Sequence, residues 1–328
     1  MSYLYSPFSV LRFYKDWTVS AFAYLIASRT HSAMSSLTHL EPIVPISGLV
    51  TRILGHNPGP FTLQGTNTYL VGSGKKKILI DTGEPGIEEY IRSLTLALNE
   101  AEIDSIVITH WHNDHVGGIP AVVEEIVGKK VERKSHFSLP FKREFQIPVY
   151  KVRRDHAEED PSQFEYVQDG HVLKVEGATL RFVFTPGHTV DHAALWLEEE
   201  QTLFSGDCIL GEGTTIFECL HDYMKSLQVI RDMKPRRIYP GHGPVIEEVE
   251  KKIEEYVEHR MKREREIVAV LKEAGEMTSM DITNKVYAEA PWSVRLAALN
   301  NVKLHLNKLI KDGRVDKIGF EMYKYLKD

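Results

Sequence analysis

Four potential metal ligands crowd into six residues at His110-x-His112-x-Asp114-His115, and the pair Gly117-Gly118 follows. Neutral imidazole and carboxylate are ligands that zinc takes readily. On an extended segment His110 and His112, two residues apart, project to the same side. Asp114 and His115 come after a turn and can face a second ion. The preceding residues 105–109 are apolar and β-branched and read as a buried strand. The ligands therefore leave a strand at its C-terminal end, where α/β sheets commonly place their ligands. Three more ligand types repeat the arrangement: His188 after Thr185-Pro186-Gly187, Asp207 after Ser205-Gly206, and His242 after Pro240-Gly241 each end a β-run at a glycine turn. Asp81 also ends a strand, before Thr82-Gly83. It could be a ligand, a base or an anchor. The anchor is favoured, because carboxylates behind a metal site accept hydrogen bonds from the loops that carry the ligands.

The elements that must position these residues follow from hydrophobic period. Residues 50–54, 66–72 and 77–83 read as strands, with a turn at Asn57-Pro58-Gly59-Pro60. Residues 87–102 form an amphipathic helix on Ile87, Tyr90, Ile91, Leu94 and Leu98. Residues 119–127 continue the ligand motif as a helix. Residues 172–175 and 178–184 read as a hairpin, 193–197 and 202–204 as strands, 227–233 as a helix and 237–239 as a strand. The stretch 128–165 has little period and many cations, among them Lys151, Arg153 and Arg154. It reads as a solvated surface, with a rim that attracts phosphates as the sharper alternative. Residues 262–328 carry helices at 267–274, 279–287 and 297–312, a break at Gly313 and a hairpin from 314–315 and 323–326. This is a winged-helix pattern. Its net charge of +3, from 13 Lys and Arg against 10 Asp and Glu, leaves open both a structural cap or dimer contact and an RNA-guiding surface.

Composition sets bounds. At 328 residues the chain has room for one large domain and a small one, and its 42% hydrophobic and 26% charged content is that of a soluble globular protein. A net charge of −6 gives no global reason for a polyanionic partner, so any nucleic acid must be held by a local patch. Two cysteines, Cys208 and Cys219, supply neither a disulfide framework nor a Cys-rich zinc site. No apolar run reaches the length of a membrane span. Residues 1 to about 40 differ from the rest: Arg12, Lys15 and Arg29 stand against one acidic residue, Asp16, before Glu41. The composition suits a mitochondrial transit peptide. A secretory signal, from the apolar residues 17–27, and a start at Met34 that leaves a cytosolic protein are the alternatives. The expected organisation is a targeting extension at 1–40, a catalytic domain at 48–261 and a winged-helix-like domain at 262–328.

Taken together, Asp81, the 110–115 motif, His188, Asp207 and His242 resemble the signature of the metallo-β-lactamase superfamily over roughly residues 48–260. The resemblance implies an α/β fold, an αββα sandwich with two metals at one edge. It implies that His110, His112 and His188 hold a first zinc, that Asp114, His115 and His242 hold a second, and that Asp207 bridges them. Two metals about 3.5–4 Å apart activate a shared water as a hydroxide nucleophile and polarise the bond to be cut. The reaction class is hydrolysis of a phosphodiester, a thioester or a lactam. Asp207 stands where the commonest zinc β-lactamases carry a cysteine ligand, which argues against the lactam. Cys208 points to the opposite face of the strand and reads as structural. Residues 57–71, 80–85, 204–215 and 239–246 narrow the resemblance to an animal group of β-lactamase-like endoribonucleases. That group implies cleavage of single-stranded RNA in the mitochondrial matrix, with the cytoplasm as the alternative if translation starts at Met34. A thioesterase similar to glyoxalase II, acting on small acyl thioesters, is the rival. Asp114, His192 and Asn67 are the candidate catalytic residues, with Thr68 beside them, for positioning or for protonating the leaving group. A homo-oligomer stays open.

Overall fold

The computed structural model describes residues 37–128, 147–154, 163–291 and 295–326. The 1–36 part of the expected targeting extension and most cations of the 128–165 stretch lie outside them. The chain divides into two compact units, one of residues 37–257 and one that starts at Glu258.

The larger unit is built on two sheets. The first has seven strands in chain order: β1 (Ile43–Pro45), β2 (Val50–Leu54), β3 (Asn67–Val71), β4 (Lys76–Ile80), β5 (Glu102–Val107), β6 (Val149–Lys151) and β7 (Glu165–Tyr166). It is antiparallel from β1 to β4 and parallel from β4 to β7. The second has five strands: β8 (Val172–Val175), β9 (Ala178–Phe184), β10 (Ala193–Leu197), β11 (Thr202–Gly206) and β12 (Ile238–Pro240), in the order β12-β11-β10-β9-β8. Alternation of side chains builds the layers. Tyr69, Val71, Ile78 and Ile80 of the first sheet meet Leu180, Phe182, Leu195 and Phe204 of the second in the inner core. Leu70, Leu79 and Ile106 point the other way, against Tyr90 and Leu94 of helix α1 (Glu88–Leu98). Beyond the second sheet, helix α4 (Leu220–Met233) buries Leu220, Tyr223, Leu227 and Ile230. The result is the αββα sandwich that the sequence implied.

Between α1 and α4 lie two short helices, α2 (Asn113–Val116) and α3 (Ile119–Ala121), and a π-helical turn over Val122–Ile126. The helix expected at 119–127 is thus partly π-helical. The fold begins earlier than residue 48, because β1 pairs with β2 and Leu40 is buried. The stretch 128–165 is not simply a solvated surface. It supplies β6 and β7 to the sheet, and Lys151 is buried in an ion pair with Asp191, Nζ to Oδ2 3.0 Å.

The long helix α5 (Val249–Ala274) starts in the first unit and continues into the second. The second unit adds β13 (Glu276–Thr278), α6 (Ser279–Val286), α7 (Arg295–Lys311), β14 (Val315–Gly319) and β15 (Met322–Tyr325). Its three strands run in the order β13-β15-β14. Ile267, Leu271, Ile282, Val302, Leu306 and Tyr323 form its core. This is a winged helix, with β14 and β15 as the wing. No helix among the described residues is long and apolar enough to cross a membrane.

Candidate metal centre

Strand ends converge at one edge of the sandwich. Backbone bonds tie the ligand turns to one another: Ala193 N–H donates to Thr109 O at 2.9 Å, Gly241 N–H to Gly206 O at 2.8 Å, and Asn67 N–H to Gly241 O at 2.7 Å. The turn that carries His188 is pressed against α4. A Cβ on Gly187 (φ +133°) would lie 2.4 Å from the Tyr223 backbone, so only glycine fits there. At Gly118 a Cβ would lie 1.9 Å from Thr82 O, which fixes how closely the 110–118 loop packs on the Asp81 turn.

Asp81 holds that loop from behind. Its backbone is left-handed (φ +57°), an uncommon state for a non-glycine residue. Its buried carboxylate accepts three hydrogen bonds. Thr109 N–H donates to Oδ1 at 2.8 Å, while Thr109 Oγ1–H, at 2.9 Å, and His115 Nδ1–H, at 2.8 Å, donate to Oδ2. Asp81 is thus the anchor that the sequence favoured, and it belongs to neither ligand group.

Two groups of side chains could hold metal ions: His110, His112, His188 and Asp207, and then Asp114, His115 and His242. In the first, His110 Nε2 lies 2.9 Å from His112 Nδ1 and 3.2 Å from His188 Nε2, and the last two are 3.1 Å apart. The protons are elsewhere. His110 Nδ1–H donates to Thr109 Oγ1 at 3.0 Å, and His188 Nδ1–H to Ile216 O at 2.7 Å. The facing nitrogens of His110 and His188 therefore present lone pairs to one point. A tetrahedral zinc with bonds of 2.0–2.1 Å sets its nitrogen ligands about 3.3 Å apart. The residues present fit such an ion closely. Burial, with the neighbouring imidazoles, holds His110 well below the usual histidine range, and burial then His188 bring His112 down to about 3. Both rings are neutral, as ligation requires.

The second group has the opposite electrostatics. Asp114 Oδ2 lies 3.2 Å from His115 Nε2 and 3.3 Å from His242 Nε2. Burial lowers His242, but the carboxylates of Asp207 and Asp114 override it and push it up to about 10. Burial likewise raises Asp207 and Asp114, and the facing histidines outweigh it, holding both well below the usual carboxylate range. A cation here would displace protons from the rings. Their other nitrogens are already satisfied, His115 on Asp81 and His242 on Gly65 O at 3.2 Å. Asp207 faces both groups. Its Oδ1 is 3.4 Å from His115 Nε2 and 3.3 Å from His242 Nε2, and its Oδ2 is 3.6 Å from His188 Nε2 and 4.0 Å from His110 Nε2. His115 Nε2 and Asp207 Oδ1 are buried without a hydrogen-bond partner. Both atoms face opposite charge, but a buried polar atom that makes no hydrogen bond is costly, and a bound cation would satisfy both.

Of the other candidates, His192 and Asn67 are committed to the scaffold. His192 Nδ1–H donates to Thr185 Oγ1 at 2.8 Å, and its Nε2 accepts from Asp207 N–H at 3.1 Å. Burial brings this ring down to about 3. With both nitrogens engaged it sets the backbone of Asp207 and has no proton to offer a leaving group. Asn67 Nδ2 donates to Pro240 O at 3.0 Å and Gly243 O at 2.8 Å, which shapes the His242 turn. Thr68 Oγ1 donates to Ile53 O. Cys208 is buried.

Thr66 and Asn57 had no role in the reading of the sequence, although both lie in stretches that carried the family resemblance. Thr66 Oγ1–H donates to Asp114 Oδ2 at 2.9 Å, and Asn57 Nδ2 donates to Thr66 Oγ1 at 3.0 Å. Burial and then the charge of Asp114 push the Glu84 carboxyl up.

An αββα sandwich with two imidazole-carboxylate groups at its edge defines a class of metal-dependent hydrolases. The sequence pattern of the Metallo-beta-lactamase superfamily matches residues 61–242, and that of the Beta-lactamase associated winged helix domain matches residues 278–321. The chain belongs to the metallo-beta-lactamase superfamily. A Beta-lactamase-like protein 2 homolog from Caenorhabditis elegans is 61% identical over 295 residues, covering 89% of this chain and 95% of that protein. An Atrochrysone carboxyl ACP thioesterase from Aspergillus chevalieri is 38% identical over 297 residues, with 88% of each covered. A beta-lactamase domain protein from Burkholderia ambifaria shares the fold in its crystal structure, with a TM-score of 0.71 at 19% identity over 89% of this chain and 96% of the other.

Proposed function

We propose that the chain is a two-zinc endoribonuclease that cuts single-stranded RNA. The observation that carries this reading is Asp207, which turns one oxygen to each ligand group. Such an arrangement suits two cations on either side of one carboxylate, the clamp that serves in-line displacement at phosphorus. Zinc ions held by His110, His112 and His188, by Asp114, His115 and His242, and by Asp207 between them would supply an activated water and offset the charge on the phosphoryl oxygens. The chain's own contribution is positional. Asp81, Thr109, Ile216 and Gly65 accept the protons of the far nitrogens, which leaves the near nitrogens as the positions a cation would take. Thr66 and His192 steady Asp114 and Asp207. The resemblance of residues 57–71 and 204–215 to animal endoribonucleases supports RNA as the substrate, and the composition of residues 1–40 supports the mitochondrial matrix as the place.

A second reading has its own support. The relative named as a thioesterase covers most of this chain, and the same centre suits hydrolysis of an acyl thioester. The test sets zinc-loaded protein on labelled single-stranded RNA and on an acyl thioester side by side, each with a chelator control. Chelator-sensitive RNA cleavage with an inert thioester is the expected result. Thioester turnover with intact RNA would replace the first reading by the second.

A further inference from the structure

Strands β5 and β6 run parallel, with Val107 beside Tyr150, and Ile108 N–H donates to Tyr150 O at 2.9 Å. The residues that leave them, Thr109 to Trp111 and Val152 to Arg154, therefore emerge at the same edge of the sheet. There the Arg154 guanidinium lies over Trp111, its Cζ 3.8 Å from the ring centroid. The Trp111 ring in turn meets the His112 ring edge-on at 4.7 Å. The guanidinium is thus no farther from this candidate ligand than those two separations laid end to end.

Three cations close this part of the chain, and they differ in what they have left to offer. Lys151 is buried and spent on Asp191. Arg153 is exposed, 5.8 Å from the Tyr166 ring. Arg154 is half-buried and, among the described residues, makes no ion pair, although it stands beside the metal centre. Stacking engages the face of a guanidinium and leaves its in-plane N–H donors free. It also fixes the plane, so less freedom is lost when those donors close on a ligand. A rigid planar fork of donors matches the oxygens of a phosphate.

We propose that Arg154, held on Trp111, binds a phosphate of the RNA strand next to the one that is cut. The proposal rests on the endoribonuclease reading and adds to it the group that positions the strand.

The test uses the full chain as wild type, Arg154→Ala and Arg154→Lys, with equal zinc content as the check on folding. Cleavage is measured on RNA with native phosphates and on RNA with one neutral methylphosphonate beside the cleaved bond. Binding of the same strands is measured by anisotropy on chelator-treated protein across a salt series. Arg154→Ala should raise KM about tenfold with kcat within about threefold, the loss of one charge-assisted contact. Its slope of log affinity against log salt should flatten by about 0.7, the value for one phosphate of a single strand. The methylphosphonate should weaken the wild type by a similar factor and cost Arg154→Ala nothing further. Arg154→Lys should keep the slope but not the full affinity, because charge remains and the fork is lost. RNA cleavage by the wild type together with an unchanged slope in Arg154→Ala, or an equal methylphosphonate penalty in both proteins, overturns the phosphate site and leaves the nuclease reading standing. RNA that is bound through Arg154 but never cut removes the nuclease reading and keeps the contact. If no RNA is bound and Arg154 instead governs turnover of a thioester on a phosphate-bearing carrier, both readings fall.

Discussion

Asp81→Asn is the substitution that best isolates the support behind the metal centre. Asparagine keeps the size of the side chain and tolerates the left-handed backbone at this position (φ +57°), so the change is confined to hydrogen bonding. Asp81 now accepts from three donors, and two of them share Oδ2. In the variant, with the amide oxygen kept on Thr109 N–H, the NH2 group faces His115 Nδ1. Two donors cannot pair. The ring must move its proton to Nε2, the nitrogen that faces Asp114 and Asp207 at 3.2 and 3.4 Å. A protonated Nε2 cannot ligate. Loss of such a supporting partner lowers metal affinity by about 10- to 100-fold, which corresponds to about 1.4–2.8 kcal/mol. The effect should fall on the site of Asp114, His115 and His242 and leave the three-histidine site within about threefold, because His110 and His188 keep acceptors on Nδ1. Chelator competition resolves the two zinc affinities. Wild-type affinity at both sites, or an equal loss at both, would refute the reasoning.

Two further outcomes follow from buried histidines. His192→Asn removes a ring that ties Thr185 to the Asp207 backbone. The expected result is kcat lowered by tenfold or more and weaker zinc binding, with the shape of the pH–rate profile kept. Loss of one limb of that profile would make His192 a proton donor instead. In the winged helix, burial, followed by the charges of Arg260 and Lys308, brings His305 down to about 3. Between this value and the ordinary histidine range the unfolded chain binds the proton and the folded chain does not. The stability that His305 contributes is therefore complete above about pH 6.5 and is lost as pH falls toward 3. Compared with His305→Gln, the wild type should lose about 1.6 kcal/mol between pH 6.5 and 5 in urea unfolding of the winged helix, and a constant difference would contradict the assignment.

Much of the centre was legible in the sequence because its ligands are strand ends beside glycines, and strand ends are local features. Its strand-end position left Asp81 open as ligand, base or anchor, and the three hydrogen bonds it accepts from Thr109 and His115 single out the anchor. Which nitrogen of His192 meets which partner was not legible. Its neighbours, Thr185 and Asp207, come from different strands, and only the packed fold shows that no ring nitrogen is left over. Strands β6 and β7 escaped for a related reason. They are three and two residues long, too short to show a period, and one includes Lys151, whose burial depends on Asp191 from a distant loop. Helix α5 begins at Val249 rather than near 267. Its early turns are rich in charge, and pairs such as Lys252 with Glu255 hold the helical spacing where an apolar stripe is thin. The π-helical turn over Val122–Ile126 reads as ordinary helix in sequence, since one extra residue in a turn leaves its composition unchanged.

The proposed centre holds two metals, is bridged by Asp207 and cuts RNA. The direct measurement is a zinc titration of metal-free protein, following cleavage of a labelled single-stranded RNA, with Asp207→Ala in parallel. Cleavage that rises to a plateau at two zinc equivalents per chain, and is absent in the variant at any zinc level, is the predicted result. A plateau at one equivalent, cleavage by Asp207→Ala, or RNA that stays intact throughout would contradict it.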